Sequence, residues 1–115
     1  MNNSIFFLLI SLVLFPLHVF ALTPLEDQWN PIKDVKDPHI VKIGEFAVSE
    51  YARLNKLGLK FMTVVSGDIQ IVSNIKYYKL ILMANDCGNN ATKKYETIVW
   101  ELKSITELMD FKPLF

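Results

Sequence analysis

Nucleophilic catalysis by this chain would have to rest on Cys87, its only cysteine, and on His39, the one histidine outside the apolar N-terminal run. A reactive thiol needs a base within hydrogen-bond reach. Cys87 lies between Asp86 and Gly88 in a polar, turn-forming stretch, whereas His39 falls at the start of a predicted helix, and nothing in the sequence joins them. No Cys/His cluster has the spacing of zinc ligands, so no metal and no cofactor are expected. The neighbouring carboxylates Glu26 and Asp27 fit a solvated charged terminus better than an acid/base pair, and His39 fits a polar first-turn position. An enzyme is not what these residues imply. The conspicuous feature is Val65 to Asn74, a β-rich run in which Gln70, Ile71 and Val72 lead into the turn-forming pair Ser73-Asn74. It is the tip of a hairpin, displayed as a loop.

The N-terminus bears on where such a loop would work. Ile5 to Phe20 is almost wholly apolar, no charged side chain precedes Glu26, and Val19-Phe20-Ala21 has the small residues of a cleavage site. Residues 1–21 are therefore expected to be a signal peptide, removed to leave one domain over 22–115 with no stable membrane insertion. Extracellular space or vacuole, reached through the secretory pathway, is the expected destination. The chain has 12 basic and 12 acidic residues and a formal net charge of zero, so it lacks the basic stripe that nucleic acid requires and proteins are the expected partners. With a single cysteine, no internal disulfide can form and the core alone must hold the fold. Asn90-Ala91-Thr92 is an N-glycosylation sequon in a polar loop.

The elements that carry the loop follow from periodicity. Leu22 to Lys36, with Pro24 and Pro31, reads as an extended arm with a short strand around Trp29 to Ile32. Asp37 caps a helix that Pro38 opens. Ile40, Ile43, Ala47, Tyr51 and Leu54 recur at helical spacing on the buried face, and Gly58 is expected to end the helix in the left-handed region. Leu59 to Val72, Ile75 to Asn85 and Lys94 to Leu102 are rich in β-branched and aromatic residues and read as antiparallel strands, with a last short strand near Met109 to Lys112. The expected fold is α+β, an antiparallel sheet of four to five strands wrapped round one helix. Phe46, Ala47, Phe61, Val65, Leu80, Leu82, Val99 and Trp100 are the expected core.

Ile43-Gly44-Glu45-Phe46-Ala47-Val48-Ser49-Glu50-Tyr51-Ala52 resembles the helix signature of the plant cystatins, departing only at its last residue, Ala52. Trp29, Pro31-Ile32, Asp37-Pro38-His39, Val64-Val65-Ser66-Gly67, Val99-Trp100-Glu101 and Phe111-Lys112-Pro113 extend the likeness over the mature chain. The resemblance implies the cystatin fold and inhibition of papain-like cysteine proteases by a wedge of three parts. These are a glycine-containing trunk, a first hairpin loop and a second hairpin loop bearing Pro-Trp.

On this chain the trunk glycines map onto Asp27 and Gln28, so neither is present. The first loop keeps Gln70, Val72 and Ser73, has apolar Ile71, and ends in Asn74 in place of glycine. The second loop, Leu102-Lys103-Ser104, lacks Pro-Trp. The resemblance therefore implies a reversible inhibitor weakened at two of its three contacts. A non-inhibitory secreted scaffold is the alternative that the same losses raise. Both a monomer and a dimer formed by exchanging the helix and its adjacent strand are compatible with the apolar run Ile69 to Val72.

Overall fold

Residues 28–114 are described in a computed structural model of the protein, and the expected signal peptide and Asp27 lie outside them. The chain order is β1 (Asn30–Pro31), α1 (Pro38–Asn55), β2 (Leu59–Val72), β3 (Ile75–Asp86), β4 (Ala91–Leu102) and β5 (Ile105–Pro113). All five strands form one antiparallel sheet in sequence order, each paired with the next. α1 packs across one face of it.

The helix begins as its sequence dictates. Asp37 Oδ1 accepts the His39 N–H at 2.9 Å, and Pro38 occupies the first turn, where a missing donor is harmless. The helix ends two residues before the expected glycine stop. Lys56, not Gly58, takes the left-handed conformation at φ 54°, and no described glycine has a positive φ. The end is closed by the Leu57 N–H donating to the Ala52 carbonyl at 2.9 Å and by Asn55 Nδ2 donating to the Tyr51 carbonyl at 3.0 Å, which satisfies carbonyls a helix leaves open. Leu54 is a second correction. It is 60% exposed, and the buried face is formed by Ile40, Ile43, Gly44, Ala47 and Val48, all in the first three turns of the helix.

Two bulges in β2 decide which side chains face that helix. Register shifts fall between Phe61 and Thr63 and between Val64 and Ser66, so Met62 and Val65 are the extra residues. The inward positions then run Phe61, Val64, Gly67 and Ile69, opposite Ala84, Leu82, Leu80 and Tyr78. This corrects the expected core: Val65 is 42% exposed and Val64 is buried in its place. Trp100 is also not in the core. Val99 points inward, so Trp100 falls half-buried on the outer face, paired with Tyr77 and Glu107. Leu80, Leu82, Ala47 and Val99 are fully buried as expected, with Phe46 and Phe61 partly buried against them.

The last strand is longer than its sequence suggests, starting at Ile105 rather than near Met109. A bulge at Ile98/Val99 adapts it to β4, and the buried Thr97 hydroxyl donates to the Asp110 carbonyl there at 2.7 Å. Phe111 closes the core, stacked on Tyr51 at 4.2 Å and tilted against Tyr95 at 5.0 Å. Two glycines permit the closest approaches. A Cβ on Gly44 would lie 2.8 Å from the Phe61 ring, and one on Gly67 would lie 2.6 Å from Leu80 Cδ2. Each brings a neighbour into space that a side chain would occupy.

Candidate functional site

The antiparallel order brings three separate segments to one edge of the sheet. β2 and β3 meet at Ser73-Asn74, between the paired residues Val72 and Ile75. β4 and β5 meet at Lys103-Ser104, between Leu102 and Ile105. The N-terminal arm runs along β2 through the pair Asn30↔Ile69, so that toward its start it travels to the same edge. Neighbouring strands are spaced by about 4.8 Å, so the two hairpin tips stand roughly 10 Å apart and the edge is about 20 Å wide.

The two tips are built differently. Ser73 and Asn74 both have positive φ, at 50° and 68°, which is the type I′ geometry that matches the twist of a two-residue hairpin. Gln70, Ile71 and Val72 lead into it half-buried, while Ser73 and Asn74 are exposed. At the second tip Lys103 has φ 55° and Ser104 does not share the positive sign, the pattern of a type II′ turn. Leu102 is half-buried, and Lys103 and Ser104 are exposed. Ile105, which the sequence did not single out, is 53% exposed beside them and is the apolar group this tip presents.

The arm is fastened to the sheet by more than its short strand. The Ile32 N–H donates to the Gly67 carbonyl at 2.8 Å, and Lys79 Nζ lies 4.8 Å from the centroid of the Trp29 ring. Gln28 is exposed, and its carbonyl accepts from Asn30 Nδ2 at 3.2 Å. No Gly is available here to let the backbone pass close to a partner.

Behind the second tip a polar cluster ties the helix to the sheet. Glu101, opposite Lys76 on β3, accepts the Tyr78 hydroxyl at 2.9 Å and pairs with His39 Nε2 at 3.0 Å. Its side chain is only 15% exposed. Burial alone would raise the Glu101 carboxyl, but the hydrogen bonds from His39 and Tyr78 and the nearby charges hold it below its ordinary value. Burial, then the hydrogen bond to Glu101, pushes the Tyr78 phenol far up. His39 is thus more than a polar first-turn residue. It links the start of α1 to the strand that enters the second hairpin, a contact across 62 residues of sequence that no local pattern announces.

Two sequence-predicted positions lie apart from this edge. Cys87 and Asn90 sit exposed in the β3–β4 turn at the other end of the sheet, and Cys87 is a free thiol. His39 and Cys87 are therefore at opposite ends of the strands.

This architecture is that of a cystatin. The salivary cystatin of the soft tick Ornithodoros moubata superposes with a TM-score of 0.66 at 12% identity, over 81% of this chain and 100% of that one. In sequence, cysteine proteinase inhibitor 5 of Arabidopsis thaliana is 50% identical over 102 residues, 87% of this chain and 81% of that protein. Cysteine proteinase inhibitor 8 of Oryza sativa subsp. japonica is 41% identical over 92 residues, 78% of this chain and 73% of that protein. A family model described as an aspartic acid proteinase inhibitor matches residues 32–114. The chain belongs to this plant cystatin family of proteinase inhibitors and is not an enzyme.

Proposed function

We propose that the protein is a secreted, reversible inhibitor of papain-like cysteine proteases, and that its first hairpin carries most of the contact. The observation behind this is the Gln70-to-Asn74 hairpin, held in a tight type I′ turn at the edge where the arm and the second hairpin also end. A preordered loop loses little conformational freedom on docking, so its contact energy appears as affinity. Ser73 and Asn74 supply exposed backbone at the tip, and Ile71 and Val72 supply apolar surface behind it. Nothing in this arrangement forms a bond with the target. Inhibition is by occupation of the cleft, and release follows from loss of the same contacts.

The arm and the second hairpin contribute less. In sequence, Asp27 and Gln28 align with the trunk glycines of the plant cystatins, which allow close backbone approach, and the second tip offers Ile105 in place of a large aromatic anchor. Secretion is read from residues 1–21 and delivery outside the cell or to the vacuole follows from it.

Steady-state inhibition by residues 22–115 tests the proposal, with papain as one target and pepsin as the other, since the matching family model is described by aspartic proteinases. Competitive, reversible inhibition of papain is the expected result. Inhibition of pepsin with papain untouched would move the target class to aspartic proteases.

A further inference from the structure

We infer that Asn90 carries an N-linked glycan, placed at the pole of the molecule opposite the inhibitory edge. The inference rests on the secretory reading above, because the transfer takes place only in the lumen of that pathway.

Asn90-Ala91-Thr92 is the one Asn-X-Ser/Thr sequence within residues 22–115; the other in the chain, Asn2-Asn3-Ser4, falls in the expected leader. The structure adds three observations. First, the sequon straddles the end of an exposed four-residue turn, Cys87 to Asn90, between the paired residues Asp86 and Ala91. Second, the two adjacent asparagines are used differently. Asn89 Oδ1 accepts the Ala91 N–H at 3.1 Å and so shapes the turn, whereas the exposed Asn90 carboxamide takes part in no hydrogen bond among the described residues. A sugar on Asn90 Nδ2 therefore displaces no contact. Third, Asn90 has φ 54°, in the left-handed region where Asn is the best tolerated residue with a side chain, and the exposed Thr92 hydroxyl makes only long contacts, at 3.4 Å with Asn85 and 3.6 Å with Met62. Nothing in the fold withholds either sequon side chain.

The chemistry is a group transfer from a polyprenyl diphosphate-linked oligosaccharide. Asn90 Nδ2 attacks the anomeric carbon; the Nδ2–C1 bond forms, the C1–O bond to the diphosphate breaks, the diphosphate leaves, and the amide gives up one proton.

The position decides what the glycan does to function. β3 and β4 are each 12 residues long and run from this turn to the two inhibitory tips. At about 3.3 Å per residue, Asn90 is about 35 Å from Ser73-Asn74 along the sheet. The glycosylated form is accordingly expected to inhibit papain as the bare form does.

The test is expression of residues 1–115 in plant leaf cells, with intact mass and peptide mapping before and after peptide-N-glycosidase treatment. Beside it stand Thr92→Val and Thr92→Ser, and residues 22–115 behind a proven secretory leader. Thr92 is chosen because Asn90→Gln would strain a left-handed position. The expected result is a cleaved chain whose added mass maps to Asn90, is lost on treatment and in Thr92→Val, and persists in Thr92→Ser, with papain inhibition equal within about twofold before and after deglycosylation. If the natural leader fails but the proven leader gives glycosylated Asn90, the site stands and the secretory reading falls. An unmodified Asn90 on the chain secreted by the proven leader overturns the inference.

Discussion

The two hairpin tips at the proposed contact edge share the same backbone task and differ in how far their residues depart from the plant cystatin pattern. Both connect antiparallel strands through two residues, and both place a non-glycine residue at positive φ. At the first tip, Asn74 in place of glycine is a change that the left-handed region tolerates, and Gln70, Val72 and Ser73 remain. At the second, the losses go deeper. The Pro-Trp pair of the plant cystatins cannot simply be written back over Lys103-Ser104, because proline fixes φ near −65° and Lys103 stands at 55°. A tight turn and a proline-bearing loop are alternative solutions for the same connection. The sheet keeps a tight turn at both tips while the residues on them differ, so under the proposed mechanism the fold and the strength of inhibition can vary separately.

That separation can be broken experimentally. Val72→Asp puts a charge into the first contact, and removal of a desolvated hot-spot contact of about 2–4 kcal/mol corresponds to roughly 30- to 1000-fold in affinity. The papain inhibition constant is expected to rise by at least that lower bound with an unchanged far-ultraviolet circular dichroism spectrum. Ser104→Trp supplies an aromatic at the second tip without disturbing Lys103, and tighter inhibition by about tenfold is expected, equivalent to about 1.4 kcal/mol. A wild-type constant for this variant would mean that the second tip does not reach the cleft. Asn74→Gly is the smallest change at the edge. It relieves the residual cost of a left-handed asparagine, and a gain of no more than a few fold is expected.

Two further variants probe the support rather than the surface. Gly67→Ala drives a Cβ to 2.6 Å from Leu80 Cδ2, and overpacking of this kind costs about 1–3 kcal/mol, seen as a lower midpoint in urea. Glu101→Gln removes the charge that accepts from Tyr78 and His39, with an expected loss of about 1–3 kcal/mol at neutral pH. The folded-state carboxyl titrates below its ordinary value, so its contribution is complete above the ordinary carboxylate range and is lost as pH falls through the folded-state value. The melting temperatures of wild type and Glu101→Gln are therefore expected to converge in acid. A constant gap down to the acid limit would contradict the assignment.

Much of this was legible in the residues. Asp37-Pro38 marks a helix start by local chemistry, and Ser73-Asn74 marks a hairpin by the tolerance of Asn for positive φ. Period-two reasoning failed where the period itself is broken. The bulges at Met62 and Val65 step the inward positions by three, so Val65 goes outward and Val64 inward, and no local propensity encodes that choice. The helix end was misplaced because Lys56 is held left-handed by bonds from Leu57 and Asn55 that composition does not reveal. At the site, the first hairpin could be read from sequence because its residues are contiguous. The Glu101 cluster could not, since His39, Tyr78 and Glu101 meet only through the register of β3 with β4 and the seating of α1. Ile105 was missed because an exposed apolar residue is ordinary until the turn beside it is known.

Whether the first hairpin carries inhibition of papain-like proteases is decided by the papain inhibition constants of residues 22–115 and of its Val72→Asp and Ile105→Asp variants. Measurable inhibition by the unaltered chain is expected, with at least a 30-fold loss for Val72→Asp, corresponding to about 2 kcal/mol, and a smaller loss for Ile105→Asp. Equal inhibition by wild type and Val72→Asp, or none by wild type, would contradict it.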